Sequence, residues 1–150
     1  MAKLSGILRK QTQSGEWVMV GDPPNTYEVL VRGWTDDYRD FVNRLQLQAA
    51  RVANRTRAAT DKPYTPETLP PSISDICFGQ ALAAHILLDV RGIDGDDGPV
   101  TGDQYREYLA LPEGHNMRIH VGDAANRVSE GIAADTEAAA GNSSPASDGT

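Results

Sequence analysis

The residues best equipped for chemistry crowd into Leu87 to Leu109, LLDVRGIDGDDGPVTGDQYREYL, where Asp94, Asp96 and Asp97 stand among Gly92, Gly95 and Gly98. Carboxylates spaced by two with a glycine for the turn are what a calcium loop needs, together with a bidentate glutamate at its twelfth position. Counted from Asp94, position five is Gly98, position six is Pro99 and position twelve is Tyr105. Counted from Asp96, position three is Gly98 and position six is Thr101. Neither register supplies enough oxygen ligands.

The other reactive types are scattered. His115 and His120 are five apart, which puts them on different sides of a helix, and no H-E-x-x-H set accompanies them. Cys77 is the one cysteine and lies between Ile76 and Phe78, so it reads as a buried inert thiol. His85 interrupts an apolar run and reads as a core histidine hydrogen-bonded to a neighbour. No serine stands in a G-x-S-x-G context, no carboxylates pair in an apolar setting, and no glycine-rich phosphate cradle stands between a strand and a helix. The expectation is a chain that is not an enzyme, with no catalytic residue, cofactor or metal. A small metal-dependent enzyme built on His85, His115, His120 and the aspartates is the competing chemical reading.

The elements that position these residues follow from periodicity. Glu16 to Val20 and Thr26 to Arg32 are rich in Val, Trp and Tyr and flank Gly21-Asp22-Pro23-Pro24-Asn25, which predicts an antiparallel hairpin over 16–32 with Tyr27, Val29 and Val31 on one face. Thr35, Asp36 and Asp37 supply a cap and first-turn acids for a helix running to about Ala59. Its apolar stripe is Tyr38, Val42, Leu45, Ala49 and Val52, with Phe41 beside it; Arg44, Arg51 and Arg55 line another face, which is either solvated or a docking face for an acidic partner.

Asp61 to Ser72 holds four of the nine prolines and is a stiff connector. Ser72 or Ser74 can cap an apolar helix from Asp75 to about Val90, a buried centrepiece. Thr101-Gly102-Asp103-Gln104 fits a capping box for a short helix that ends at Pro112-Glu113-Gly114. Met117, Val121, Ala124 or Ala125, Val128 and Ile132 mark a last helix. From residue 134 the composition turns to Ala, Gly, Ser, Asp and Thr, which predicts a disordered acidic tail over 134–150. The fold class is therefore α+β, mainly α: a short N-terminal antiparallel β-hairpin followed by a small bundle of about four helices, in one domain over 1–133.

A net charge of -7 argues against nonspecific nucleic-acid binding, which needs clustered cations. Charge is nevertheless uneven, since Arg39 to Lys62 is basic and Asp123 onward is acidic. No run of about eighteen apolar residues is present, and the opening MAKLSGILRK lacks the apolar stretch of a signal peptide. A cytoplasmic protein that binds neither nucleic acid nor membrane is expected.

The order of elements resembles the phage tail assembly chaperones. The likeness runs from Val29 to Asn54, a strand leading into an arginine-bearing helix, and more closely from Ala81 to Val128. There an apolar helix ends in Leu87-Leu88-Asp89-Val90, with Gly92, the Asp94 to Gly98 loop and Pro99 after it, then Thr101 to Gln104 starting a helix and Met117 to Val128 forming the last. Val90 stands where the family has Trp, and Thr101-Gly102-Asp103-Gln104 where it has a Ser-Pro-Glu cap. The resemblance implies a nonenzymatic protein of the host cell cytoplasm, absent from the mature virion. It would coat the long helical tape-measure protein, recruit tail-tube subunits, and in some members be extended by ribosomal frameshifting.

A chaperone must hold an apolar helical client reversibly. The candidate contacts are Tyr38, Val42 and Leu45 with Arg44, Arg51 and Arg55 on the first helix, and Met117, Val121 and Val128 on the last; self-association is a further option. The alternative is that both apolar stripes are spent in the domain's own core. A structural virion protein, such as a head-tail connector or tail terminator, fits the same small acidic α+β profile.

Overall fold

The computed structural model describes residues 15–142, with side chains to 131. The N-terminal segment and the last eight positions expected in the tail, 143–150, lie outside the described residues. Strands β1 (Glu16–Val20) and β2 (Tyr27–Val31) form the expected hairpin, with Trp17 opposite Leu30 and Val18 opposite Val29. Asn25 N donates to Asp22 O at 2.7 Å and closes the turn. Val29 and Val31 are fully buried, as the alternation requires, and Tyr27 is half-buried.

Helix α1 (Asp36–Asn54) begins where Thr35 accepts a hydrogen bond from the Tyr38 amide, with Asp36 and Asp37 in its first turn. It stops five residues before the expected Ala59. The Asn54 side chain explains the stop, because it both donates to Tyr64 O and accepts from Tyr64 N, fastening the helix end to the proline connector.

Helix α2 (Pro71–His85) departs from the expectation at both ends. Neither Ser72 nor Ser74 caps it: Pro70 holds the cap position and Pro71 the first turn, where a missing N–H costs nothing. The Ser74 hydroxyl instead accepts from Gln46 Nε2 at 3.1 Å. At the other end Ile86 closes the helix, and Leu87 to Val90, expected as helix, form strand β3 (Leu87–Arg91). The apolar run hid the change, since a buried helix and a buried strand are equally apolar. Pairing with β2 decides it: Val29 faces Val90 and Glu28 faces Arg91 in an antiparallel third strand, so the sheet order is β1-β2-β3.

Gly92, with φ +87°, turns the chain out of β3, and the aspartate loop folds into a small hairpin of β4 (Asp94–Gly95) and β5 (Gly98–Pro99). Helix α3 (Gly102–Leu109) opens with the full capping box, Thr101 accepting from the Gln104 amide and Gln104 Oε1 from the Thr101 amide. Pro112–Gly114 makes a 3-10 turn into α4 (His115–Asn142). The backbone of α4 thus stays helical through the first part of the stretch expected as tail, which the alanine-rich sequence favours by intrinsic propensity.

The core lies where α2, α3 and α4 cover the inner face of the sheet. Val29, Val31, Leu87, Leu82, Ile86, Leu109, Val121 and Val128 belong to it. Arginines guard both sheet edges: Arg106 Nη2 donates to Leu88 O at 2.6 Å beside β3, and Arg127 Nη1 to Met19 O at 2.8 Å on β1. Helix α1 reaches this core only through half-buried Tyr38 and packs against α2, with Val42 and Ala50 its buried residues. No helix of the described residues is long and apolar enough to cross a membrane.

Candidate partner-binding faces

The reactive side chains are distributed by the fold into structural pairs. His120 lies on the sheet side of α4, where its Nδ1 shares a 2.8 Å hydrogen bond with the Tyr27 hydroxyl, which is in turn 2.7 Å from the Tyr105 hydroxyl. Burial pushes the Tyr105 phenol well above its ordinary value, and the adjoining Tyr27 phenol adds to the effect. His115 points the other way and bonds Asp75 Oδ2 through Nδ1 at 2.9 Å. His85 is half-buried with its ring edge-on to Phe41, centroids 4.9 Å apart, rather than hydrogen-bonded in the core as the sequence suggested. Cys77 is buried, which raises its thiol. Among the described residues no three His, Cys, Asp or Glu side chains converge as metal ligands, and Asp94, Asp96 and Asp97 stay exposed.

Arg118 organises the junction of α2, α3 and α4. Its side chain is 4% exposed. Nη1 donates to Leu109 O at 2.9 Å and Leu111 O at 2.6 Å, Nη2 to Pro112 O at 3.3 Å, and Nε to Asp75 Oδ2 at 2.8 Å. A buried guanidinium is tolerated only when its donors are used in this way. The carbonyls it satisfies are those left over where α3 ends and the 3-10 turn begins. Around this junction Phe78, Tyr108, Leu111 and Ile119 remain large, apolar and exposed.

The residues expected to bind a partner separate into two groups. Val42, Val121 and Val128 are buried, Met117 packs partly buried against the core, Leu45 is half-buried, and the Tyr38 ring lies tilted against Trp34 with centroids 4.9 Å apart. Val42, Val121 and Val128 are therefore spent inside the domain, whereas Tyr38, Leu45 and Met117 each keep part of their surface in water. Arg44, Arg51 and Arg55 are exposed. Val52, expected on the packed stripe, is turned outward and is 50% exposed, as is Leu47 at 45%.

Helical geometry accounts for the split. At about 100° per residue, Arg44, Arg51 and Arg55 fall within about 20° of one line along α1, roughly opposite Val42 and Ala53. Leu47 flanks that line on one side, with Gln48 and Val52 on the other. Arg44, Leu47, Gln48, Arg51, Val52 and Arg55 line a shallow surface groove of about 330 Å³. Sequence reading found the arginines but missed Leu47, whose signal was its spacing of three from Arg44 and four from Arg51. No family model, curated protein or solved structure matches this chain.

Proposed function

We propose that this chain is a phage tail assembly chaperone: a nonenzymatic protein that holds the tape-measure protein soluble in the host cytoplasm and helps bring tail-tube subunits to it. One observation carries the reading. The segment that bears the resemblance, Ala81 to Val128, carries exposed Tyr108, Leu111 and Ile119 next in sequence to the residues Arg118 ties together, and Phe78 of α2 is exposed as well. Apolar side chains kept in water on closely packed helices suit reversible capture of an apolar helix, whereas a chain working alone gains nothing from them.

Arg118 belongs to the same reading as the fastener that ties α4 to α2 and to the end of α3, the elements that carry these exposed side chains. The client supplies an amphipathic helix, and the complex is held mainly by apolar burial.

Co-expression with the tape-measure protein of its own genome tests the reading. The client is expected to become soluble and to co-purify; if it stays insoluble and unbound, the reading fails. Mass spectrometry of purified particles separates this function from that of a head-tail connector or tail terminator, because a chaperone is absent from finished virions and a connector is present in fixed number.

A further inference from the structure

The outer ridge of α1 is charged in two halves: exposed Asp37 and Asp40 in its first turns, then exposed Arg44, Arg51 and Arg55. Among the described residues Asp37, Asp40, Arg51 and Arg55 enter no ion pair within the chain. A uniformly acidic helix laid on this ridge would satisfy the arginines but set carboxylates against Asp37 and Asp40. A helix of the same polarity laid antiparallel gives Asp37 and Asp40 basic partners and Arg51 and Arg55 acidic ones, with Arg44 opposite Gln48.

We propose that a second copy of this chain occupies the ridge, the two α1 helices packing antiparallel about a two-fold axis beside Gln46. Asp37 then lies opposite Arg55 of the other copy, and Asp40 opposite Arg51. An isologous interface requires each such pair to occur twice, and this register provides it. The apolar flanks agree with the same axis. Leu47 lies close enough to the axis to meet the Leu47 of its mate on one flank. On the other flank exposed Val52 meets Phe41 of the second copy, a ring half-buried against His85. All these pairs are centred within about one residue of Gln46, so a single register with the helices near antiparallel satisfies them together.

The proposal goes beyond the chaperone reading and uses a different face from the apolar ring at the Arg118 junction. One helix pair falls short of the roughly 1,200 Å² of a standard stable interface, so the dimer is weak and forms only at high protein concentration.

Sedimentation equilibrium of the full chain at low salt, from about 5 μM to about 1 mM, is expected to show a monomer-dimer equilibrium that weakens as salt rises. The double variants Asp37→Lys/Asp40→Lys and Arg51→Glu/Arg55→Glu should each associate at least tenfold more weakly. Their equimolar mixture should recover the dimer, because the two substituted pairs attract in one half of the interface while the native pairs persist in the other. Leu47→Ser, an exposed substitution that folding does not require, should also weaken association, and it keeps the test open should a charge variant fail to fold by circular dichroism. A chain that stays monomeric throughout, variants that dimerise like the unsubstituted protein, or a folded mixture that stays monomeric would each overturn the proposal, the first leaving the ridge to another protein's helix.

Discussion

Asp75 on α2 and Arg118 on α4 meet across 43 positions of sequence, with Arg118 Nη2 2.6 Å from Asp75 Oδ2. The guanidinium spends its remaining hydrogens on the Leu109, Leu111 and Pro112 carbonyls, so one side chain ties α4 to α2, to the end of α3 and to the turn that follows α3.

Removing that guanidinium strands a carboxylate and buried carbonyls together. Arg118→Met is expected to cost about 3–5 kcal/mol, the range for breaking a buried pair from one side. Arg118→Lys should recover only part, because an ammonium cannot span the same acceptors. Urea denaturation of the three proteins measures it, and a loss under about 1 kcal/mol for Arg118→Met would show the network to be dispensable.

The same pair makes stability depend on acid. Burial alone would raise the Asp75 carboxyl, but the hydrogen bonds and charges of Arg118 and His115 outweigh it and hold the group below its ordinary value. A carboxylate depressed in the folded state contributes fully above the unfolded value near 4 and loses that contribution as pH falls through the folded value. Asp75→Asn is therefore expected to be less stable than the parent at pH 7, with the gap closing below about pH 4. Denaturation midpoints from pH 7 to pH 3 give the comparison; a gap constant with pH would contradict it.

The phenols set the alkaline limit. Burial raises both Tyr105 and Tyr27, so the contribution of the protonated forms is complete below the ordinary phenol value near 10 and is lost as pH rises beyond it. Tyr27→Phe should cost more than Tyr105→Phe. Tyr105→Phe still leaves the Tyr27 hydroxyl bonded to His120 and should cost about 1 kcal/mol. Tyr27→Phe leaves the fully buried Tyr105 hydroxyl without its partner and should cost about 1–3 kcal/mol. Thermal unfolding at pH 8 orders the two variants, and the reverse order would refute the arrangement.

Close packing of α2 on α3 rests on Gly79. A Cβ there would overlap the Leu109 carbonyl and press on the Arg118 side chain. Gly79→Ala should destabilise by about 1–3 kcal/mol or more, although alanine is the better helix former. A neutral or stabilising result would mean that the two helices part easily.

Legibility followed the range of the interactions. The hairpin, the Thr35 cap and the Thr101–Gln104 capping box depend on neighbours a few residues away, and all three stand as the sequence predicts. The helix expected through Val90 failed at Leu87 because its apolar run carries no period, so the choice of strand fell to a partner far off in sequence, β2. Val52 shows the same limit on one helix. Its spacing from Ala49 and Leu45 admits it to the apolar stripe, yet α2 covers only the face centred near Val42 and leaves Val52 in water.

By itself the sequence determined the β1–β2 hairpin, the caps at Thr35 and Thr101, the α+β class and the basic face of α1, since capping, alternation and helical spacing are written in adjacent residues. Only the tertiary structure decided which apolar stripe is spent in the core and which stays exposed, where the third strand pairs, and that Arg118 and Asp75 meet. Those outcomes depend on how elements distant in the chain divide a limited buried volume, and on a desolvated charge finding every acceptor it needs.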